Sequence, residues 1–276
     1  MTSVEDLLAR SVGEGSLTLP DTFQGLPQMA HGGVVLAAFD LVAAPPHDTP
    51  RELAGAYRRK IPLNTPLPLA IRRSGPETAL RLSNGKQVLV EGRVTAVEPD
   101  ARRPDLLEST GNRFPLPISN RCFACGVQNP LGLQASLWFD DRQVWTEYRP
   151  REPFRTADGR LATAVFTTLL DETAFWLGAL ATGESGMTTD LRIMLHQPTY
   201  PFGKPLAAVG VRERTAPQEA ESPYWRTEST LVAPDGELLA SGVITFVVVR
   251  GAARRLIKGM LGINPPEVVR RVFPTY

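Results

Sequence analysis

Residues 31–40 read His-Gly-Gly-Val-Val-Leu-Ala-Ala-Phe-Asp, and residues 162–171 read Ala-Thr-Ala-Val-Phe-Thr-Thr-Leu-Leu-Asp. Both runs are too long and too rich in Ala and Leu for strands, which favours helices. Because the runs are apolar on nearly every side, such helices belong inside the protein. Each run closes on an aspartate, Asp40 in the first and Asp171 in the second. The two stretches therefore predict an internal repeat that contributes one buried helix to each half of the chain.

The segments downstream of the two helices also match each other. Asn84-Gly85 and Asp235-Gly236 each lie between β-rich runs. Asn-Gly and Asp-Gly in this setting are strong signals for a tight hairpin. Each half is therefore predicted to follow its helix with antiparallel strands, which makes the fold class α+β.

We divide the chain into three parts on this basis. Residues 1–104 form the first half, residues 105–250 the second, and residues 251–276 a tail that we expect to hold one helix and a frayed end. The stretch 98–104 is rich in Pro and charge and is typical of a linker.

Composition excludes several classes of protein. The chain has 276 residues, with 30 Lys and Arg against 29 Asp and Glu. This balance argues against a nucleic-acid partner and against a polybasic membrane-surface protein. Two cysteines in so long a chain do not make a disulfide scaffold, and the acidic start lacks the apolar core of a signal peptide. No uninterrupted apolar run is long enough to span a membrane. We therefore expect a cytoplasmic protein with no membrane partner.

The segment Phe-Gln-Gly-Leu-Pro-Gln-Met-Ala-His-Gly-Gly, residues 23–33, resembles the start of the central helix in PaaI-type acyl-CoA thioesterases of the hotdog superfamily. The second half resembles a related subfamily through Cys-Phe-x-Cys-Gly…Asn-Pro-x-Gly-Leu at 122–133 and Leu-Leu-Asp-Glu at 169–172. The resemblance covers roughly residues 15–250. It implies two tandem hotdog domains, each a long buried helix wrapped by an antiparallel sheet, related by a pseudo-twofold axis. It also implies an acyl-CoA substrate, no cofactor beyond the coenzyme A of that substrate, and a homodimer of double hotdogs as one assembly.

Helix geometry decides which residues can share a site. His31 and Asp40 are nine positions apart, so their side chains point to opposite faces of the helix. A site at His31 must take its carboxylate from the other helix, and Asp171 is the candidate if the two helices pack antiparallel. The reverse pairing joins Asp40 to Ala162, where the histidine and the glycine turn are missing. We therefore predict one intact site and one degenerate site.

The family resemblance supplies a further site residue. Its members carry Ser or Thr in a Gly-x-Ser/Thr-x-Asp stretch after the helix, and Gly186–Asp190 matches this pattern with Thr188 at the hydroxyl position. Counting back in the first half reaches Glu52, which departs from the pattern. This difference agrees with a degenerate site in the reverse pairing.

The predicted roles follow from thioester chemistry. The N–H groups of Gly32 and Gly33, at a helix N-terminus, would bind the oxygen that becomes negative. Asp171 would act as general base or as nucleophile, and burial should raise its pKa. His31 would fix the turn or contact the thioester, and Thr188 would hold water or orient the carboxylate.

Other residues are weaker candidates for the binding site. Gln24 is the nearest match to an amide that the family places upstream of the histidine, and Phe175 and Trp176 could line an acyl pocket or simply pack in the core. Glu172 is expected to face away from the site. The basic clusters at 58–60 and 254–258 could meet the phosphates of coenzyme A, although a solvated surface is the simpler interpretation.

The pair Cys122 and Cys125 is interpreted as a structural turn. Zinc would need two further ligands, and the candidates considered, His47 and His196, lie far away in sequence. A thioredoxin-like function lacks its βαβ context. We therefore predict no metal site.

The prediction is an acyl-CoA thioesterase with one active site between its halves. One alternative is a non-catalytic protein of the same fold that binds acyl-CoA or another small ligand. The other is a hotdog hydratase or dehydratase, for which the expected spacing of histidine and acid is missing.

Overall fold

The computed structural model describes residues 2–98 and 111–276. Its helices are α1 Val4–Ser11, α2 Gly32–Ala43, α3 Thr163–Thr182, α4 Ala253–Met260 and α5 Pro266–Val272. Its strands are β1 Val12–Gly13, β2 Ser16–Leu17, β3 Arg51–Tyr57, β4 Leu67–Ser74, β5 Glu77–Asn84, β6 Gln87–Ala96, β7 Phe114–Pro115, β8 Trp138–Phe139, β9 Gln143–Tyr148, β10 Gly186–Leu195, β11 Leu206–Val211, β12 Ala216–Pro217, β13 Tyr224–Val232 and β14 Leu238–Val248.

The strands form one antiparallel sheet that runs through both halves of the chain. Its order is β1-β2-β4-β5-β6-β3-β10-β14-β13-β11-β9-β8-β7, with β12 paired to β13. In the middle, β3 of the first half pairs with β10 of the second, from Arg51 opposite Leu195 to Ala56 opposite Asp190. The two predicted units are therefore continuous through their central strands.

The sheet encloses α2 and α3, which also pack against each other. Both helices are buried over most of their length, as their all-round apolar pattern predicts. By length and hydropathy α3 could cross a membrane, but 83% of its apolar window is buried inside the protein. It is the core helix of the second half. The α+β class and the arrangement of two helices wrapped by antiparallel strands are confirmed.

Both predicted hairpins form. Asn84 pairs with Gln87 across the turn between β5 and β6, and Asp235-Gly236 lies in the turn between β13 and β14. Gly85 and Gly236 have φ of 57° and 83°, in the left-handed region that favours glycine.

The remaining domain predictions concern the boundary between the two halves and the C-terminal tail. The predicted boundary at residues 104/105, with most of the linker, lies outside the described residues. The tail holds two helices, α4 and α5, rather than one helix and a frayed end. Val272 and Phe273 are buried at its end, and the Tyr276 hydroxyl donates to Glu184 Oε1 at 2.8 Å. Apolar side chains at helical spacing therefore fasten the tail to the core.

Candidate functional site

The N-terminus of α2 points at the side chain of Asp171 in the middle of α3. Asp171 Oδ2 accepts a hydrogen bond from the Gly33 N–H at 2.9 Å and lies 3.2 Å from His31 Nδ1. Asp171 Oδ1 accepts a hydrogen bond from Thr188 Oγ1 at 2.6 Å. The Asp171 carboxylate thus contacts three of the other four residues predicted to be catalytic, His31 and Gly33 from the first half and Thr188 from the second.

A bulge in β10 turns Thr188 toward Asp171. Leu191, Ile193 and Leu195 face the core in regular alternation, which would bring Thr189 inward next. The register shifts between Thr188 and Asp190, so Thr189 is an extra residue and Thr188 takes the inward position. Bulges of this kind re-aim side chains next to functional sites.

The electrostatics of Asp171 are the reverse of the prediction. Burial alone raises the pKa of this carboxyl, but the hydrogen bond and charge of His31, with the donors Thr188 and Gly33, outweigh burial and lower it. For His31, burial lowers the pKa, yet hydrogen bonds to Asp171 and Glu172 raise it well above its usual value. The expectation of a raised pKa at Asp171 was wrong because it counted the apolar neighbours and omitted the donors.

The two glycines allow close contacts at this helix N-terminus. A Cβ on Gly33 would lie 2.4 Å from the Thr167 carbonyl oxygen, and one on Gly32 would lie 2.8 Å from Asp171 Oδ2. The expectation that both N–H groups face a ligand was wrong for Gly33, whose N–H donates to Asp171. Among the described residues, none accepts a hydrogen bond from the Gly32 N–H.

Tyr57, at the end of β3, completes this corner of the site and was not predicted. Its hydroxyl donates to the Gly32 carbonyl oxygen at 2.7 Å. Burial, with the charge of Asp171, raises its pKa well above its usual value. No sequence motif marks this tyrosine, and only the register of β3 brings it to the helix.

Glu172 lies in the site, contrary to the prediction. Its Oε2 lies 3.6 Å from His31 Nε2, and its Oε1 accepts a hydrogen bond from Trp176 Nε1 at 2.9 Å. Asp171 and Glu172 thus flank the two ring nitrogens of His31. Helical spacing shows that adjacent residues diverge, but it does not show that an imidazole fits between them.

Cys122 and Cys125 lie on the same wall of the site. Both are buried and neither forms a disulfide. A hydrogen bond from the Cys125 thiol lowers the pKa of Cys122, and the bonds of Cys125 to Cys122 and Glu172, with burial, raise its own. The sulfur of Cys122, a ring nitrogen of His31 and an oxygen of Glu172 lie within 4.8 Å of one another.

At the predicted degenerate site, where Asp40 faces the start of α3, the aspartate forms a salt bridge. Arg51 donates to Asp40 through Nε at 2.6 Å and through Nη2 at 2.8 Å, and both residues are buried. Thr163 Oγ1 donates to Asp40 Oδ2 at 3.0 Å, while no described side chain caps α3 at Ala162. The side chain that contacts the aspartate is Arg51, next to Glu52, the position that counting equates with Thr188.

A cavity of about 620 Å³ opens in front of Asp171, between the halves and beneath α4. Gln24, Phe175 and Trp176 are among its lining residues, and Gln24 Oε1 accepts a hydrogen bond from the Gln28 N–H at 3.2 Å. Exposed basic side chains also line the cavity; they are Arg58, Arg59, Lys60, Arg121 and Arg255. The whole cluster at 58–60, and Arg255 from the cluster at 254–258, therefore lie at the cavity and are exposed to solvent there.

Comparison with known proteins identifies the fold. No protein-family model and no curated protein sequence matches the chain. A proposed thioesterase II from Thermobifida fusca YX superposes with a TM-score of 0.63 at 13% identity, covering 91% of this chain and 100% of that one. A conserved protein of unknown function with a hot dog fold from Alicyclobacillus acidocaldarius gives 0.61 at 14% identity, with the same coverage. The dehydratase domain of RzxB from Pseudomonas fluorescens gives 0.52 at 16% identity, covering 79% and 85%. At such identities the likeness is one of fold, and this chain has the hotdog fold in a tandem arrangement.

Proposed function

We propose that this protein hydrolyses an acyl-CoA thioester at the site between its two halves. The observation that carries the proposal is the contact of the Asp171 carboxylate with the N-terminus of α2, at the wall of a largely apolar cavity with basic side chains around it. A carboxylate beside a helix N-terminus supplies a base or nucleophile and a positive dipole end together.

The chemistry requires an ionised Asp171, and the lowered pKa of this carboxyl supports that state at neutral pH. If Asp171 is the base, it takes a proton from water as the water oxygen attacks the carbonyl carbon, and the C–S bond then breaks to give the product acid. If Asp171 is the nucleophile, its own oxygen attacks that carbon, the C–S bond breaks to leave a mixed anhydride, and water then cleaves the anhydride. In either route the thiolate of coenzyme A leaves and takes up a proton. The Gly32 N–H and the dipole of α2 stabilise the oxygen that becomes negative.

His31, Gly33 and Thr188 act through Asp171 as positioning residues. Each directs a polar hydrogen or ring nitrogen at one of its two oxygens, so the carboxylate is held in a single orientation. Preorganisation of this kind lowers the barrier because the site does not have to reorganise during the reaction.

The substrate class follows from the cavity. Phe175, Trp176 and Met187 give it an apolar interior that suits an acyl chain, while the basic residues at its edge suit the phosphates of coenzyme A. Two reduced thiols next to the site fit a cytoplasmic location. The hydrolytic step needs no cofactor beyond the coenzyme A of the substrate.

A panel of short, long and aromatic acyl-CoAs tests the proposal. Free coenzyme A is separated by chromatography, because a thiol reagent would also react with Cys122 and Cys125. We expect hydrolysis of at least one substrate. Saturable binding without release of coenzyme A would instead support the ligand-binding alternative, and addition of water to an enoyl-CoA would support the hydratase.

The same assay separates the two roles of Asp171. A single turnover in ¹⁸O-labelled water puts the label only in the product acid if Asp171 is a base. If Asp171 is a nucleophile and water attacks its carboxyl carbon in the anhydride, the first turnover carries an unlabelled aspartate oxygen into the product, and the label appears in the aspartate. Label in the aspartate therefore identifies the nucleophilic route.

A further inference from the structure

Four side chains with metal-binding atoms converge on the wall of the cavity. Three of them, Cys122, His31 and Glu172, place a ligand atom each within 4.8 Å of the other two, and all three are buried. The fourth, Cys125, lies close enough to Cys122 and Glu172 for both to raise the pKa of its thiol, and its Sγ lies 3.7 Å from Ser119 Oγ. None of the proposed hydrolytic steps uses either sulfur or the Glu172 carboxylate.

One pair of candidate ligand atoms already has the spacing of a tetrahedral zinc site. Zn–S bonds near 2.3 Å and Zn–N or Zn–O bonds near 2.0–2.1 Å place neighbouring ligand atoms about 3.3–3.8 Å apart. His31 Nε2 and Glu172 Oε2 are 3.6 Å apart. The Cys122 sulfur lies within 4.8 Å of a ligand atom of each, so it would have to approach by at most about 1 Å, and Cys125 would have to turn its sulfur toward the same point.

Two of the candidate ligands are also held by a second polar group. His31 Nδ1 lies 3.2 Å from Asp171 Oδ2 and accepts from the Gly33 N–H at 3.2 Å, and Nε2 faces Glu172. Trp176 Nε1 holds Glu172 Oε1 and leaves the other oxygen for a metal. In metal sites, a ligating histidine usually hydrogen-bonds a carboxylate through its other ring nitrogen, and a ligating carboxylate usually accepts a hydrogen bond from a further donor.

Residues 119–126, which we call the cysteine loop, have a local structure that holds both sulfurs in place. The Ala124 N–H donates to Cys122 Sγ at 3.3 Å, and the Gly126 N–H donates to the Cys122 carbonyl at 2.9 Å. A Cβ on Gly126 would lie 2.3 Å from that carbonyl oxygen, so the turn requires glycine. Ser119 Oγ lies 3.7 Å from Cys125 Sγ. The loop thus holds its two sulfurs beside each other with an N–H directed at one of them.

We propose that the protein binds one zinc ion through the sulfurs of Cys122 and Cys125, Nε2 of His31 and a carboxylate oxygen of Glu172. Two thiolates, an imidazole and a carboxylate in a buried tetrahedral set suit Zn²⁺. The sequence argument missed this set because it sought the further ligands only at His47 and His196.

The ion links three segments that are distant in sequence: the cysteine loop, the start of α2 and the middle of α3. Four protein ligands leave no open position for water, which is typical of structural zinc. The ion therefore holds the site together and takes no part in the hydrolytic steps, although it shares His31 with them, so its test uses readouts other than activity.

The first test is metal content and cobalt substitution on the full-length reduced protein. After incubation with Zn²⁺ and gel filtration, elemental mass spectrometry should find about one zinc per chain. Replacement by Co²⁺ should give the intense visible absorption of tetrahedral cobalt, with a thiolate-to-cobalt charge-transfer band in the near ultraviolet.

Variants assign the ligands. Cys122→Ser and Glu172→Gln should weaken zinc affinity by at least about tenfold, and Cys122→Ser should reduce the charge-transfer band. If either variant fails to fold, Trp176→Phe removes the hydrogen bond to Glu172 while it keeps a buried aromatic ring at this position, and it should weaken affinity by about 10- to 100-fold. His47→Gln, which removes an exposed histidine, is the matched control and should leave both measurements unchanged.

Three outcomes would overturn the proposal. They are a reduced wild-type protein that retains no zinc, a cobalt form without the charge-transfer band, and a His47→Gln variant that loses the metal instead. The first outcome includes a protein that is isolated with a Cys122–Cys125 disulfide and has no zinc affinity after reduction. In that case the pair would be a redox couple. A protein that binds zinc but hydrolyses no thioester would leave this proposal intact and refute only the hydrolytic one.

Discussion

At the scale of single residues, Asp171 and Asp40 show how one pair of equivalent positions diverges. Both aspartates are buried on central helices, and each needs partners because a lone buried charge is costly. Asp40 is neutralised by the guanidinium of Arg51 at 2.6 Å. Asp171 instead receives a backbone N–H, a hydroxyl and an imidazole, groups that hold it in place at the edge of a cavity.

The first prediction compares these two aspartates. Asp171→Asn should lower kcat of thioester hydrolysis by about 100- to 10,000-fold, because the amide can neither accept a proton from water nor attack the carbonyl. Asp40→Asn should keep kcat, yet it leaves Arg51 buried without its counter-charge. We therefore expect it to lower the free energy of unfolding by about 3–5 kcal/mol.

Steady-state kinetics and urea denaturation of both variants provide the measurement. A double variant, Asp40→Leu with Arg51→Met, removes both charges and should recover much of the stability. Equal loss of kcat in the Asp171 and Asp40 variants would contradict the assignment of one working site.

The second prediction concerns Thr188, whose hydroxyl donates to Asp171 Oδ1 at 2.6 Å. A hydrogen bond to a charged group contributes about 1.5–3 kcal/mol, so Thr188→Val should lower kcat by about 10- to 100-fold. Thr188→Ser retains the donor and should recover most of the activity. Met194→Leu, on the same strand but not in the cavity lining, serves as the control, and a Ser variant as impaired as the Val variant would refute the donor role.

At the scale of elements, the crossing of α2 and α3 determines the geometry of the site. Gly33 faces the backbone of Thr167, so the helix axes approach closely there. A Cβ on Gly32 would instead meet side chains, the Asp171 carboxylate at 2.8 Å and the Tyr57 ring at 3.7 Å. The two adjacent glycines therefore serve different ends: Gly33 permits the packing, and Gly32 leaves room for the carboxylate.

The third prediction separates these two effects. Gly33→Ala places its Cβ 2.4 Å from a main-chain oxygen and should destabilise the protein by about 1–3 kcal/mol through overpacking. Gly32→Ala should change stability less but displace Asp171 and lower kcat. Urea midpoints and kcat for the pair are the measurement, and a Gly33→Ala protein as stable as the wild type would exclude the close helix crossing.

Sequence reasoning succeeded where one periodic pattern decides the structure. The all-round apolar runs predicted α2 and α3, and Asn-Gly and Asp-Gly predicted the hairpins, because those signals act within a few residues. The partnership of His31 with Asp171 followed from helical spacing, which excluded Asp40. These inferences needed only local geometry and the assumption of a repeat.

The parts that sequence reasoning missed depend on register and on contacts between elements. The bulge at Thr189 and the position of Tyr57 follow from strand pairing, which no short motif records. The cysteine loop reaches His31 only through the tertiary fold, so a search by sequence distance could not find the cluster with Glu172.

At the scale of the whole molecule, the cavity requires all three parts of the chain. The first half contributes His31, the second Asp171, and α4 of the tail contributes Leu256 and Met260 to the lining. Phe273 at the end of the tail is completely buried, so the tail is fastened to the rest of the protein. The exposed basic residues at the cavity come from the first half, the cysteine loop and the tail together.

The fourth prediction tests whether those basic side chains bind the phosphates of coenzyme A. A triple variant, Arg58→Ser with Lys60→Ser and Arg255→Ser, should lower kcat/KM for an acyl-CoA by about tenfold, which corresponds to about 1.4 kcal/mol. The same acyl group on N-acetylcysteamine carries no phosphate, so its kcat/KM should be unchanged. Because all three side chains are exposed, salt should reduce the difference between the two substrates.

The control for this variant removes exposed charge elsewhere on the sheet. Arg81→Ser with Arg226→Ser takes away two arginines that are 60% and 55% exposed and do not line the cavity. It should leave kcat/KM for both substrates unchanged. Equal losses for the two substrates in the triple variant would show that the basic residues support the fold of the cavity rather than the nucleotide end of coenzyme A. A loss confined to acyl-CoA would instead place the nucleotide at this edge, with the thioester directed inward toward Asp171.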